Sequence, residues 1–391
     1  MRWIALFLLL MPLVPASVWS QGPLDSLILR AEQDSNDAVA HFDLAKALLA
    51  EEEWDSADSA LREAVLLAPS YGDAWIQIAL LPERRGARYR RQLDKDGQLD
   101  SVRTEADRAR RRAWFSDPLT ELELFAIIED DLLRPSLRQY AGDWYNVFAR
   151  SIHRLSDGKR AEAWKEIDRI ARMRGHPLFG SVITRLHGLL AWSQQDYPTA
   201  ITDFMSLTAR AYAAETLGFL PMLAANEDRY ALATLLLQAG SYNESMLTYQ
   251  RVVELDASVW QAHVQLARMY EASEMWLEAV AERRTAVAVN PDDASLLVEL
   301  GGTLLNAGER AEALQVLREA EAHLPRDPRL YLLLGLALTE PDEAASRRAA
   351  LTHFVAIAPS RMAPQVSAAR AILDQPSPAT AARDSSDSSG P

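Results

Sequence analysis

The sequence predicts an all-α protein, a solenoid of stacked antiparallel helix pairs carrying one irregular helical insertion. Three observations predict it. Ala257, Pro291, Pro325 and Pro359 stand at equal steps of about 34 residues, a period at which helix-turn-helix pairs repeat. Within each interval, apolar and small residues recur at helical spacing. Gly240 and Gly308 fall between the two apolar runs of their intervals, where a glycine accepts the positive φ that ends a first helix.

From the N-terminus, Met1 and Arg2 precede an apolar run from Trp3 to Val14, with small residues at Ala16, Ser17 and Ser20. That layout reads as a secretory signal peptide over residues 1–20, cleaved after Ser20, and it predicts an extracytoplasmic, periplasmic location. The alternative is an uncleaved anchor, which would make the protein a membrane-tethered adaptor. Pro12 and Pro15 interrupt the run, and it falls short of the roughly 20 residues a spanning helix needs. Membrane contact is therefore expected only through this segment.

Residues 21–81 hold one helix pair, marked by Leu44, Ala45, Leu48, Trp54, Ala57, Leu61, Ala64 and Pro69. Over residues 82–140 the repeat rhythm is lost. Between Glu83 and Arg112 stand 11 basic and 6 acidic residues, a local excess of basic charge at helical spacing, which reads as a solvated helical hairpin. Arg108, Arg110, Arg111 and Arg112 precede Trp114 and Phe115 there, either to grip an anionic partner or to let the two aromatics dock on the solenoid.

Residues 141–225 keep weaker helix-pair spacing at Gly158, Ala163, Ile167 and Ile170, and again at Gly188, Tyr197, Ala200 and Phe204. Residues 226–374 hold four regular pairs. Their first helices carry Leu232, Ala233 and Leu236, then Leu266, Ala267 and Tyr270, then Leu300, Gly301 and Leu304. The second helices carry Ser245, Tyr249 and Val252, then Ala279, Ala286 and Val289, then Ala313, Leu317 and Ala320. Small residues at the crossings let two helix axes approach. Ala363 to Leu373 reads as the capping helix a solenoid needs over its last apolar face. The tail, 375–391, is rich in Ser, Asp, Pro and Ala and cannot bury enough surface to order.

With small residues at the crossings, an aromatic or leucine in each helix and a closing proline, the chain resembles the tetratricopeptide repeats (TPR), most fully from Asn226 to Pro359. The resemblance implies a right-handed superhelical solenoid that binds another polypeptide in its concave groove. If Leu266, Ala267 and Tyr270 face the core, the neighbouring stripe faces that groove. The expected partner-binding residues are Tyr230, Thr234 and Gln238, then Gln261, Val264, Gln265, Arg268 and Glu271, then Val298, Asn306 and Leu332. Family members that clasp a C-terminal carboxylate use paired Lys and Asn on these stripes. That pair is missing here, so a chaperone-type acidic tail is not the expected ligand.

The remaining composition narrows the function further. Acidic residues number 55 against 41 basic, a formal charge of -14, which disfavours nucleic acid as partner. The absence of cysteine removes disulfides, thiolate metal sites and a cysteine nucleophile. His41, His153, His176, His187, His263, His323 and His353 form no metal-ligand spacing, and no phosphate loop or nucleophile elbow occurs. No cofactor or metal is expected. Acidic pairs such as Asp130 and Asp131 are too common in this chain to mark acid-base catalysis. The expectation is a non-enzymatic assembly factor for a protein or peptide partner. Its rival is an enzyme with an active site between residues 82 and 180 and the repeats as a recruiting arm.

Overall fold

The computed structural model describes residues 23–127, 143–171, 180–216 and 224–375. The predicted leader, the tail beyond residue 375, and Asp130, Asp131 and His176 lie outside the described residues. Among the described residues every regular element is helical. The N-terminal part comprises α1 (Pro23–Gln33), α2 (Ala38–Ala50), α3 (Trp54–Leu67), α4 (Gly72–Arg84), α5 (Gly86–Lys95), α6 (Leu99–Ser116), a 3-10 turn (Pro118–Thr120) and α7 (Glu121–Ile127). The middle holds α8 (Asp143–Ser156), α9 (Arg160–Ala171), α10 (Gly180–Ser193) and α11 (Tyr197–Thr216). The C-terminal part is α12 (Ala224–Gln238), α13 (Tyr242–Leu255), α14 (Trp260–Ala272), α15 (Trp276–Val289), α16 (Ser295–Asn306), α17 (Arg310–Glu321), α18 (Pro328–Ala337), α19 (Ala344–Ile357) and α20 (Ala363–Leu373).

The helices pack as consecutive pairs: α2 with α3, α8 with α9, α10 with α11, and then α12 through α19 two by two. A left-handed residue closes the first helix of many pairs, and its spacing carries the repeat more faithfully than composition does. Glu52 (φ 60) and Gly86 (φ 80) are one repeat length apart, as are Gly240 (φ 82), Glu274 (φ 58) and Gly308 (φ 83) in turn. A glycine accepts this conformation freely, while Glu52 and Glu274 hold it against a Cβ penalty.

Gly86 explains the region where the rhythm is lost in sequence. α4 begins at Gly72, one repeat length after α2 begins at Ala38, and is a normal first helix. Its partner is not α5, which follows directly, but α6, which packs along it. The short α5 is inserted at the turn, so the pair is stretched rather than replaced by a solvated hairpin. Arg88, Arg91 and Arg103 remain exposed, whereas Ala109, Ala113, Trp114 and Phe115 at the end of α6 are buried.

Small residues at the crossings bring the helices of a pair together. A Cβ added to Gly301 would lie 2.5 Å from a Leu317 methyl, and one added to Gly335 would lie 2.3 Å from a Leu351 methyl. An alanine at either position would force the facing leucine or the helices themselves to shift. The buried apolar side chains form separate clusters. One belongs to α2–α4 and α6, one runs from α6 through α14, and one covers α15 to α20.

Candidate functional site: the concave face and its internal cavity

The N-terminal part of the chain packs against first helices of later pairs. At α10 and α12 it does so through the end of α6. Trp114 donates its indole N–H to the Glu227 carbonyl at 3.1 Å. Phe115 meets Tyr230 edge-on, with ring centroids 4.9 Å apart. The Tyr230 hydroxyl donates to the Phe115 carbonyl.

Salt bridges surround these aromatics: Arg110 with Glu121 at 2.8 Å, Arg111 with Glu227 at 3.6 Å, and Arg185 with Asp228 at 2.8 Å. Burial raises the pKa of Glu227 and of Asp228, and the neighbouring arginines oppose the rise. The acidic groups that converge on this irregular part of the chain are thus spent on arginines. Arg112 stacks over Trp75 at 4.6 Å, so the run Arg110 to Arg112 is committed within the chain.

The predicted groove residues fall in different surroundings. Tyr230, Val264 and Val298 are buried, at 1%, 6% and 2% exposure, and cannot form the open floor expected of them. Phe115 covers Tyr230, and Val264 packs with Ala286 and Leu296 between pairs. Thr234 and Gln238 are engaged: Thr234 meets the Tyr249 hydroxyl at 2.8 Å, and Gln238 accepts the Trp192 indole N–H at 2.7 Å. Gln261 and Gln265 are half-buried and Asn306 is exposed.

Arg268 and Glu271 belong to an ionic network that the sequence reading missed. Arg268 reaches Glu299 at 3.5 Å. Glu271 accepts from Arg283 at 3.0 Å and from Thr303 at 2.6 Å, and Arg283 also contacts Glu299. The buried Arg283 guanidinium is held between two carboxylates of successive first helices, the arrangement a buried charge requires. A signal for it was present. Arg283 stands one repeat length after Tyr249 and one before Leu317, at a position otherwise apolar, so a buried arginine there needed acidic partners.

Leu332 lines a cavity of about 880 Å³ between the α3–α4 connection and the concave faces of α16, α18 and α20. Apolar walls come from Leu66, Leu324, Leu332, Leu333 and Met362, and polar groups from Glu299, Arg326, Arg329 and Arg361. A second cavity of about 850 Å³ adjoins it, sharing Leu66, Pro69, His323 and Leu324, and is bounded by Trp75, Arg112, Asp292 and Asp293. Both lie within the size range of ligand sites. Leu66 is 60% exposed although it points to this interior. The repeat pattern gave no sign of it, since two segments far apart in sequence make the walls.

Paired helices, crossings that require small residues and a concave inner face define an α-solenoid repeat protein. The family model described as tetratricopeptide repeat matches residues 229–259, which span α12, α13 and their connection. The chain thus carries a tetratricopeptide repeat over those residues, a fold that serves in general as a protein-interaction scaffold.

Solved structures with a similar arrangement include the MamA protein, at 19% identity over 45% of this chain and 88% of that one, with a TM-score of 0.36. MamA from Desulfovibrio magneticus RS-1 gives 18% identity over 46% and 96%, with a TM-score of 0.36. The C-terminal part of a TPR repeat-containing protein from Cytophaga hutchinsonii gives 15% identity over 56% and 80%, with a TM-score of 0.44. No curated protein matches the sequence significantly.

Proposed function

We propose that the protein is an exported, non-enzymatic scaffold of the cell envelope that receives an extended peptide or helix in the cavity between its N-terminal pair and α16–α18. The observation that carries this reading is the cavity itself. Leucines line it from both sides, the carboxylates Glu299 and Asp327 and several arginines stand at its margin, and first helices of two successive pairs contribute to its wall. Apolar side chains of a bound segment would sit against Leu66, Leu332 and Leu333, while its backbone would meet polar groups at the rim. The location within the envelope rests on the leader-like segment at residues 1–20.

A photoreactive residue placed at Leu332 or Leu66, with Leu277 on the outer surface as control, tests the reading in the intact envelope. The two interior positions are expected to capture one common polypeptide that Leu277 does not. The captured species must then bind the purified protein, and Leu332→Glu with Leu66→Glu must abolish that binding while helicity is retained. Equal capture from all three positions would remove the cavity as the site. Mass measurement of the mature protein checks the leader, with a start at Gln21 expected.

A further inference from the structure

The two ends of the solenoid meet. Arg326, between α17 and α18, donates to Asn36 at 2.9 Å, to the Ser35 carbonyl at 2.6 Å and to Glu63 at 2.6 Å. Asn36 donates in turn to the Ile357 carbonyl at 3.1 Å. The Ser360 hydroxyl donates to Asp34 at 2.9 Å, and Arg361 donates to Asp37 at 2.9 Å. Acidic groups from α1–α3 and their connections thus face arginines from α17–α20, at the opposite end of the chain.

The character of this seam differs from that of the other internal contact. Trp114 and Phe115 join α6 to α10–α14 as members of one buried apolar cluster. At the seam the apolar clusters do not merge: the one containing Phe42, Leu61 and Val65 includes nothing beyond Ala109, and the one containing Leu317 and Phe354 includes nothing before Val280. Hydrogen bonds and ion pairs connect the two ends beside open cavities. Arg361, 56% exposed, reaches an Asp37 carboxylate that is only 4% exposed, whereas Arg326 and Glu63 are 47% and 29% exposed, so solvent and salt reach that second pair. Ion pairs of that exposure are weak. Their range falls from about 10 Å to about 3 Å as ionic strength rises from about 0.1 to about 1 M.

We infer that Arg326 and Arg361, with Asp34, Asn36, Asp37 and Glu63, form an ionic latch that closes the solenoid over its internal cavity and opens when these charges are screened or removed. The aromatic contact at Trp114 and Phe115 stays in place when the latch opens, so the N-terminal helices swing about the end of α6 that it anchors. Opening uncovers Leu66, Leu324 and Leu332 together. The role of the latch as a gate for a partner rests on the scaffold reading above, whereas the latch itself does not.

The chain contains no cysteine, so Glu32→Cys with Arg370→Cys gives a unique spin-label pair across the seam in the full chain. Both positions are exposed. In about 0.1 M salt a single short, narrow distance distribution is expected, and in about 1 M salt a longer, broader population should appear with unchanged helical circular dichroism. Arg326→Gln with Arg361→Gln should show the long population already at low salt. The exchange Arg326→Glu with Glu63→Arg should recover part of the short one. A distance unmoved by both salt and the double neutralisation would overturn the latch. The salt series uses the native seam, so it stands even where a variant fails to fold. No partner is present in the measurement: a latch that opens while Leu332 captures nothing would leave the latch intact and remove only the scaffold's binding site.

Discussion

Adjacent glycines in α16 should respond oppositely to the same substitution. Both Gly301→Ala and Gly302→Ala remove a helix-interior glycine, which favours the folded state by about 1 kcal/mol. At Gly302 the new methyl would sit 3.6 Å from a Leu333 methyl, an ordinary contact, so that gain should be kept. At Gly301 the new methyl would lie 2.5 Å from Leu317 Cδ2 and 2.6 Å from its Cγ. Leu317 is fully buried, and a χ2 rotation cannot move Cγ, so either the leucine leaves its rotamer or the helices part. Overpacking of this kind costs about 1–3 kcal/mol. Gly301→Ala should therefore come out neutral to destabilising by about 2 kcal/mol, and the two variants should differ by about 1–3 kcal/mol. Repeat arrays need not unfold in one step, so hydrogen exchange of α16 and α17 amides should accompany the urea midpoint. Leu317→Ala, costly alone, should be partly compensated when combined with Gly301→Ala, a coupling that contacting residues show. Equal stabilisation by both alanines would mean that the α16–α17 crossing is loose and that glycine is not required there.

Two further outcomes follow from the buried polar groups. Tyr230→Phe removes the hydroxyl that donates to Phe115 and keeps the ring contact, so it should cost about 1 kcal/mol and raise exchange at the end of α6; unchanged exchange there would count against the docking of α6 on α12. His187 lies 2.6 Å from Asp203 and 3.6 Å from Asp168; burial opposes its protonation, but the two carboxylates prevail and hold its pKa above the usual value. A pKa raised on folding contributes stability that is fully present below the unfolded value of about 6.5 and is lost as pH rises through the folded value. The urea midpoint of the α10–α11 region should fall over that window, and the fall should vanish in His187→Gln.

Much of the architecture was legible because TPR packing is local. A helix pair needs its small and large residues at fixed offsets, so Ala267, Gly301, Tyr249 and Leu317 could be placed by counting. The pair formed by α4 and α6 could not, because an insertion of α5 at the Gly86 turn moves every later residue out of phase while leaving the packing partner the same. The groove stripe was read as one helix face, and of its residues Arg268 and Glu271 meet an ionic network and Leu332 a cavity. Its accessibility was misread because periodicity within one helix carries no information about a segment arriving from elsewhere in the chain. Tyr230 is covered by Phe115, which belongs to a much earlier helix, and Leu332 is faced by Leu66.

What remains open on the concave face is decided by the chemistry of these internal contacts. Where the arriving segment brings aromatics, as at Trp114 and Phe115, burial of their rings is worth on the order of 1.5–3 kcal/mol each, and the contact becomes core. Where it brings carboxylates and an asparagine, as at Asp34, Asn36 and Glu63, exposed pairing contributes roughly 0–1 kcal/mol per ion pair, and space is left beside it. An apolar partner entering beside Leu66 and Leu332 would gain by burial what the polar seam does not supply, so it competes with water there and not with a packed side chain. On the proposed reading, recognition therefore belongs at the α16–α18 end, beside that cavity. At the α12 end the aromatic occupant is already part of the fold.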